Sequence, residues 1–212
     1  MRLLNQRGAR CVLVSVLVLS GCGFGGRELP ARLYMLTPLS VQGIYPSPGG
    51  RRPGIWVGPV TLPQYTNRPQ IVTGNTGPAV QRAFSALWAE PLQDNFVRVL
   101  AENLSLLLVT DQVAIFPWTS PAPLDYQVTV DVTQFLGELG GDASLTARWT
   151  IVGKSGKEVL ARKKSIFSQP TKSQDYDGFA AAMSQNVASL SREIAATITH
   201  LSQQGTAASE SR

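Results

Sequence analysis

The chain has 212 residues, 43% of them hydrophobic, and a formal net charge of +5. Arg2, Arg7 and Arg10 supply most of that excess; the residues after position 21 hold only +2, which excludes the broad cationic surface of a nucleic-acid-binding protein. A single histidine, His200, excludes a multi-histidine metal site, and the length suits one domain with a sizeable core.

The three arginines precede the apolar run Cys11–Leu19, giving the charged and hydrophobic regions of an export signal. As a helix this run reaches roughly 14 Å, against about 30 Å of bilayer hydrocarbon, so it is too short to span a membrane. Leu19-Ser20-Gly21-Cys22 resembles the bacterial lipobox. The resemblance implies cleavage between Gly21 and Cys22, a thioether-linked diacylglycerol on Cys22 and an acyl chain on its new amino group. At about 0.8 kcal/mol per buried CH₂, three chains hold where one holds marginally. Gly23 stands where an inner-membrane retention signal has aspartate, which favours the outer membrane. Cys11 leaves with the signal, so the remaining thiol is the one to be acylated and no disulfide is available. Residues 1–21 are therefore assigned to a lipoprotein signal peptide, 22–31 to a lipidated tether, 32–202 to the folded domain and 203–212 to a disordered tail.

Arg32–Leu36 has the alternation of a short strand, Leu33 and Met35 on one face and Tyr34 and Leu36 on the other. Thr37 to Gly54 is rich in Pro and Gly, has no period and exceeds the 12 to 15 residues or so beyond which structureless loops are uncommon. Ile55–Val60 and Gln70–Thr73 are predicted strands, separated by a turn region from Pro63 to Pro69. Residues 79–89 are assigned to a helical turn or short helix. It leads into a longer helix, where Leu92, Phe96, Val99, Leu100, Leu104 and Leu107 recur at helical spacing behind Pro91. Val113–Phe116 is a further strand. Tyr126, Val128, Val130 and Val132 alternate with Gln127, Thr129, Asp131 and Thr133, the period of a sheet with one dry and one wet face. Leu145, Ala147, Trp149 and Ile151 repeat the pattern after a glycine-rich turn, Glu138–Asp142; Lys154–Lys157 then turns the chain into a strand from Glu158 to Phe167. A long helix, Tyr176–Leu201, capped by Asp175, lays an apolar stripe over the dry face. The fold class is α+β: a mixed, largely antiparallel sheet covered by two long helices in a single domain.

Catalytic constellations are missing. A Ser-His-Asp arrangement would depend on His200 alone, with no G-x-S-x-G elbow to position a serine. Asp125 and Asp131 share the wet face of one strand but sit near 20 Å apart, beyond the roughly 10 Å limit for a glycosidase pair. Gly49-Gly50 and Gly140-Gly141 lack the strand–glycine–helix setting of a phosphate cradle. His200 is assigned to a helix-end cap, and Trp88 and Trp118 to core packing at element ends. No catalytic residue, metal ligand or cofactor is assigned, and the chain is not taken for an enzyme. The basic cluster Arg162-Lys163-Lys164, with Lys154 and Lys157 nearby, either attracts lipid head groups or an acidic partner, or keeps an exposed edge strand from pairing with other chains; edge protection is favoured.

Several segments in order carry a wider likeness: Leu33-Tyr34-Met35-Leu36, Val57 to Tyr65, Arg68-Pro69-Gln70-Ile71-Val72, Trp88-Ala89-Glu90-Pro91-Leu92, Val99 to Leu104, Phe116-Pro117-Trp118, and Tyr126 to Val132 with Phe135. Together they resemble the bacterial ABC-transport auxiliary lipoproteins, the YmbA family typified by paraquat-inducible protein C. Thr66-Asn67 stands where that pattern has Leu-Asp. The resemblance implies a non-catalytic domain on the periplasmic face of the outer membrane, held there by acyl chains. It also implies work with an MCE-domain protein and an inner-membrane permease in lipid transport between membranes. Docking to the MCE protein is expected of the Thr37–Gly54 loop and the Thr61–Pro69 turn, both more proline-rich than a sheet requires. Individual partner-binding residues stay unassigned, and a homo-oligomer is left open. Two other functions remain: a lipid carrier with an apolar pocket between the long helix and the sheet, and an envelope-integrity or secretion-machine lipoprotein.

Overall fold

Alternation along three long strands sets the architecture. A computed structural model describes residues 30–40, 52–75, 77–117 and 125–210, without the side chains of 205–210. Strands β1 (Arg32–Tyr34), β2 (Ile55–Thr61), β3 (Gln70–Thr73) and β4 (Gln81–Trp88) precede helix α1 (Leu92–Leu108). Then come β5 (Val113–Ile115), β6 (Tyr126–Gly137), β7 (Asp142–Gly153), β8 (Val159–Pro170) and helix α2 (Tyr176–Glu210). All of them fall in one compact unit, Ala31–Arg212.

The strands β6, β7 and β8 form an antiparallel meander, and β2 adds in parallel beside β6 with β5 beyond it, giving the order β5-β2-β6-β7-β8. Val128, Val130 and Val132 of β6 and Leu145, Ala147, Trp149 and Ile151 of β7 are buried on one face. Helix α2 closes that face with Phe179, Met183, Val187, Leu190, Ile194 and Ile198, and α1 contributes Phe96, Val99, Leu100 and Leu104 to the same core. Asp175 caps α2 as expected, accepting the Gly178 N–H at 2.9 Å.

A bulge keeps β6 in phase with the core. Val132 pairs with Ala147 but Gln134 pairs with Thr146, so Thr133 is the extra residue. The strand's alternation shifts by one there, and Phe135 turns to the dry face instead of the wet one. It meets Trp88 and Phe96 edge-on, at ring distances of 6.4 and 6.2 Å.

The α+β class and the two covering helices match the sequence; the strands, however, divide between two sheets. The second has the order β1-β4-β3, β1 parallel and β3 antiparallel to β4. Its central strand overturns the helix assigned to residues 79–89. Along β4 the register jumps from Val72↔Arg82 to Gln70↔Leu87, a bulge that leaves Ala83 and Ala86 buried three residues apart. That interval imitates helical spacing, and pairing with β1 and β3 overrides the local preference. The last helix also runs further than its apolar stripe suggests: α2 continues past Leu201 to Glu210. Gln203, Gln204, Ala207 and Ala208 are good helix formers, and extending an existing helix needs no new nucleus.

Candidate functional site

Leaving the sheet at Thr61, the chain enters a 3₁₀ turn, Gln64–Thr66. The Thr66 amide and hydroxyl both donate to the Pro63 carbonyl, at 2.9 and 2.7 Å, and the Asn67 N–H donates to Gln64 at 3.1 Å. Thr66 therefore satisfies its buried hydroxyl inside the turn. Tyr65 fastens the turn to β6: its hydroxyl accepts the Phe135 N–H at 2.9 Å, beside the bulge. Burial pushes the Tyr65 pKa up, while the N–H from Phe135 pulls the other way.

The facing wall is the junction of β4 and α1. Trp88 donates its N–H to Pro69 at 2.6 Å and Ala89 to Tyr34 at 2.8 Å, joining the turn, β4 and β1. Pro91 starts α1, its carbonyl accepting the N–H groups of Asp94 and Asn95. Between the walls lies a groove of about 480 Å³, with Leu62, Trp88 and Leu92 lining it and Arg68 and Glu90 among its charged residues. Glu90 is bound by Arg98 from α1. The groove offers apolar surface, exposed polar turn groups and paired charges, which suits a protein segment better than a reaction.

A second polar device was not found from sequence. Asn95 is buried on α1 and holds Leu36 twice, accepting its N–H at 2.6 Å and donating to its carbonyl at 3.3 Å. Two turns further on, buried Asn103 accepts the Leu39 N–H at 2.8 Å and donates to Ser191 of α2 at 3.1 Å. Thr37 donates its N–H to Ser184 at 3.1 Å. The eight-residue interval advances about 12 Å along a helix, close to the reach of three extended residues, so the pair clasps Leu36–Leu39 along its length. The available signal was two asparagines on the apolar stripe of α1, where a buried amide needs partners.

The expected site residues divide between described and undescribed segments. Gly21 and Cys22, Trp118 and the middle of the Thr37–Gly54 loop lie outside the described residues. The loop's described ends are fixed, one by the asparagine clasp and the other by Thr110, whose hydroxyl donates to Pro53 at 2.9 Å. Trp88 is a core residue. His200 is exposed within α2 and ten residues short of its end, so it caps nothing; this corrects the cap role. Asp125 accepts the Gly54 N–H and Asp131 the Thr61 hydroxyl, both in structural roles. Lys163 faces α2 and binds Glu193, whereas Arg162 and Lys164 face the other side of the sheet. Among the described residues no three His, Cys, Asp or Glu side chains gather as a metal site, and no helix is long and apolar enough to cross a membrane.

The described residues thus form a two-layer α+β body with a groove of about 480 Å³ beside the Thr61–Pro69 turn. Residues 34–195 match the model of the ABC-type transport auxiliary lipoprotein component family, and the chain belongs to that family. It is 28% identical over 188 residues to the intermembrane transport lipoprotein PqiC of Escherichia coli, covering 86% of this chain and 95% of that one. Among solved structures, an uncharacterized protein superposes with a TM-score of 0.65 at 20% identity, over 80% of this chain and 99% of its own. Protein XCC0632 from Xanthomonas campestris follows at 0.62 and 19%, over 83% and 99%. These two share the fold.

Proposed function

We propose that the protein is an outer-membrane-anchored periplasmic lipoprotein, a non-catalytic docking component of an MCE/ABC-type intermembrane lipid transport system. Acyl chains on Cys22 hold it at the membrane, and the groove beside the Thr61–Pro69 turn receives the MCE-domain partner, itself linked to an inner-membrane permease. One observation carries this reading. Segments separated in sequence, Leu62 to Pro69 and Trp88 to Gln93, converge on one groove, and both include stretches that carry the family likeness. Tethering raises the local concentration of that surface for its partner. The carrier alternative is less well supported, because Phe96, Leu100, Trp149, Met183 and Leu190 fill the interval between helices and sheet.

Crosslinking and pull-down from intact envelopes test the docking role. Replacing exposed Asn67 with Arg should abolish recovery of the MCE-domain protein while palmitate labelling persists. Undiminished recovery would count against the groove. Cys22→Ser should remove the label and release the chain from sedimenting outer membranes.

A further inference from the structure

The wet face of the five-stranded sheet carries a charge arrangement that folding alone disfavours. Register places Thr61, Asp131, Arg148 and Lys164 side by side across β2, β6, β7 and β8, with Thr129, Thr150 and Arg162 in the next row. Arg148 is thus directly opposite Lys164, a like-charge cross-strand pair of the kind that destabilises a sheet. Arg162 is two residues from Lys164 on the same side, about 7 Å along the strand. The one carboxylate in these rows, Asp131, accepts the Thr61 hydroxyl at 2.8 Å and stands 3.7 Å from Arg148. No described carboxylate forms an ion pair with Arg162 or Lys164. The three cations border a depression of about 620 Å³.

Edge protection accounts for only part of this. Lysine on β8, an edge strand, does discourage pairing with other chains. Arg148, however, is on β7, hydrogen-bonded on both sides, where there is no edge to protect. Moreover, Val159, the first residue of β8, and Ile166, two positions beyond Lys164, lie on the same side and are 50% and 67% exposed. Exposed apolar groups would weaken a strand designed to repel neighbours; flanking a cationic centre, they match the interface of a bilayer, where phosphate lies above hydrocarbon.

We infer that this face docks on anionic phospholipid, with Arg148, Arg162 and Lys164 gathered around a head-group phosphodiester and Val159 and Ile166 against the acyl boundary. An anion there converts the Arg148–Lys164 repulsion into shared attraction. The inference deepens the tethered-lipoprotein reading and rests on it for proximity to a membrane. Each basic side chain near an anionic surface strengthens attachment on the order of fivefold.

Amine acetylation of Lys164, followed by mass spectrometry with Lys172 as internal reference, reports on the face itself. The purified full chain is mixed with phosphatidylcholine vesicles, with or without phosphatidylglycerol. Lys164 labelling should slow at least about threefold only when phosphatidylglycerol is present, and high salt should restore it. Arg148→Gln/Arg162→Gln should lose that protection with its melting temperature unchanged or raised, since it relieves the repulsion. Equal labelling with both vesicles overturns the inference. Equal protection by inorganic phosphate points to a free anion and overturns the membrane assignment; protection by polyglutamate but not by the vesicles points to an acidic polypeptide and does the same. Co-sedimentation with phosphatidylcholine vesicles reads the acyl tether separately. Soluble short-chain phosphatidylglycerol, which should also protect Lys164, tests the face whether or not the chain sediments.

Discussion

The two faces of the five-stranded sheet share one backbone and receive alternate residues, yet they obey different rules. Beneath the helices Val128, Val130, Val132, Leu145, Trp149 and Ile151 are buried, and Trp149 even satisfies its indole N–H, donating to Ser165 at 3.0 Å. On the other side stand Thr61, Asp131, Arg148 and Lys164, held by register and not by packing. The contrast separates what makes the fold from what leaves it free to meet a partner: close packing constrains the first face, and only charge and exposure constrain the second.

The sharpest way to break the contrast is to move a residue across it. Exchanging Gln134 and Phe135 keeps the bulge but sends the ring toward water and buries an amide between Trp88 and Phe96, so the double variant should abolish cooperative unfolding, as followed by near-ultraviolet circular dichroism. Trp149→Ala keeps the register but opens a cavity and should cost about 3 to 5 kcal/mol in denaturant unfolding. Asn103→Ala leaves the Leu39 N–H and the Ser191 hydroxyl without their shared partner. It should cost about 1 to 3 kcal/mol and speed amide exchange at Leu39.

The smallest effect concerns the cap of α2. Hydrogen bonds from the Ser173 hydroxyl and then the Gly178 N–H hold the Asp175 carboxyl below the usual carboxylate range. A depressed folded pKa gives stabilisation that is present above the unfolded value and lost as pH falls through the folded one. Asp175→Asn should therefore flatten the acid limb of the melting temperature against pH, leaving the neutral and alkaline region with the same shape.

Residues with local physics were legible in the sequence. The alternation from Tyr126 to Val132, the stripe of α2 and its Asp175 cap each depend on neighbours a few positions away. Residue 84 and its surroundings were not, because the β4 bulge gives buried alanines a helical interval and only the strands on either side reveal the error. The groove was half legible. The Thr61–Pro69 turn stood out for its prolines, but the wall from Trp88 to Gln93 joins it through hydrogen bonds between segments distant in the chain.

The sequence by itself determined which residues seek water and which avoid it, where the long helices lie, and the lipobox likeness around Cys22, since each is written in side-chain chemistry and short spacing. Tertiary structure decided the bulges at β4 and β6, the asparagine clasp on Leu36–Leu39 and the meeting of Arg148 with Lys164. Register, and the partners of a buried amide, exist only after distant segments pair, because each buried polar group must find its hydrogen bond in whichever segment arrives.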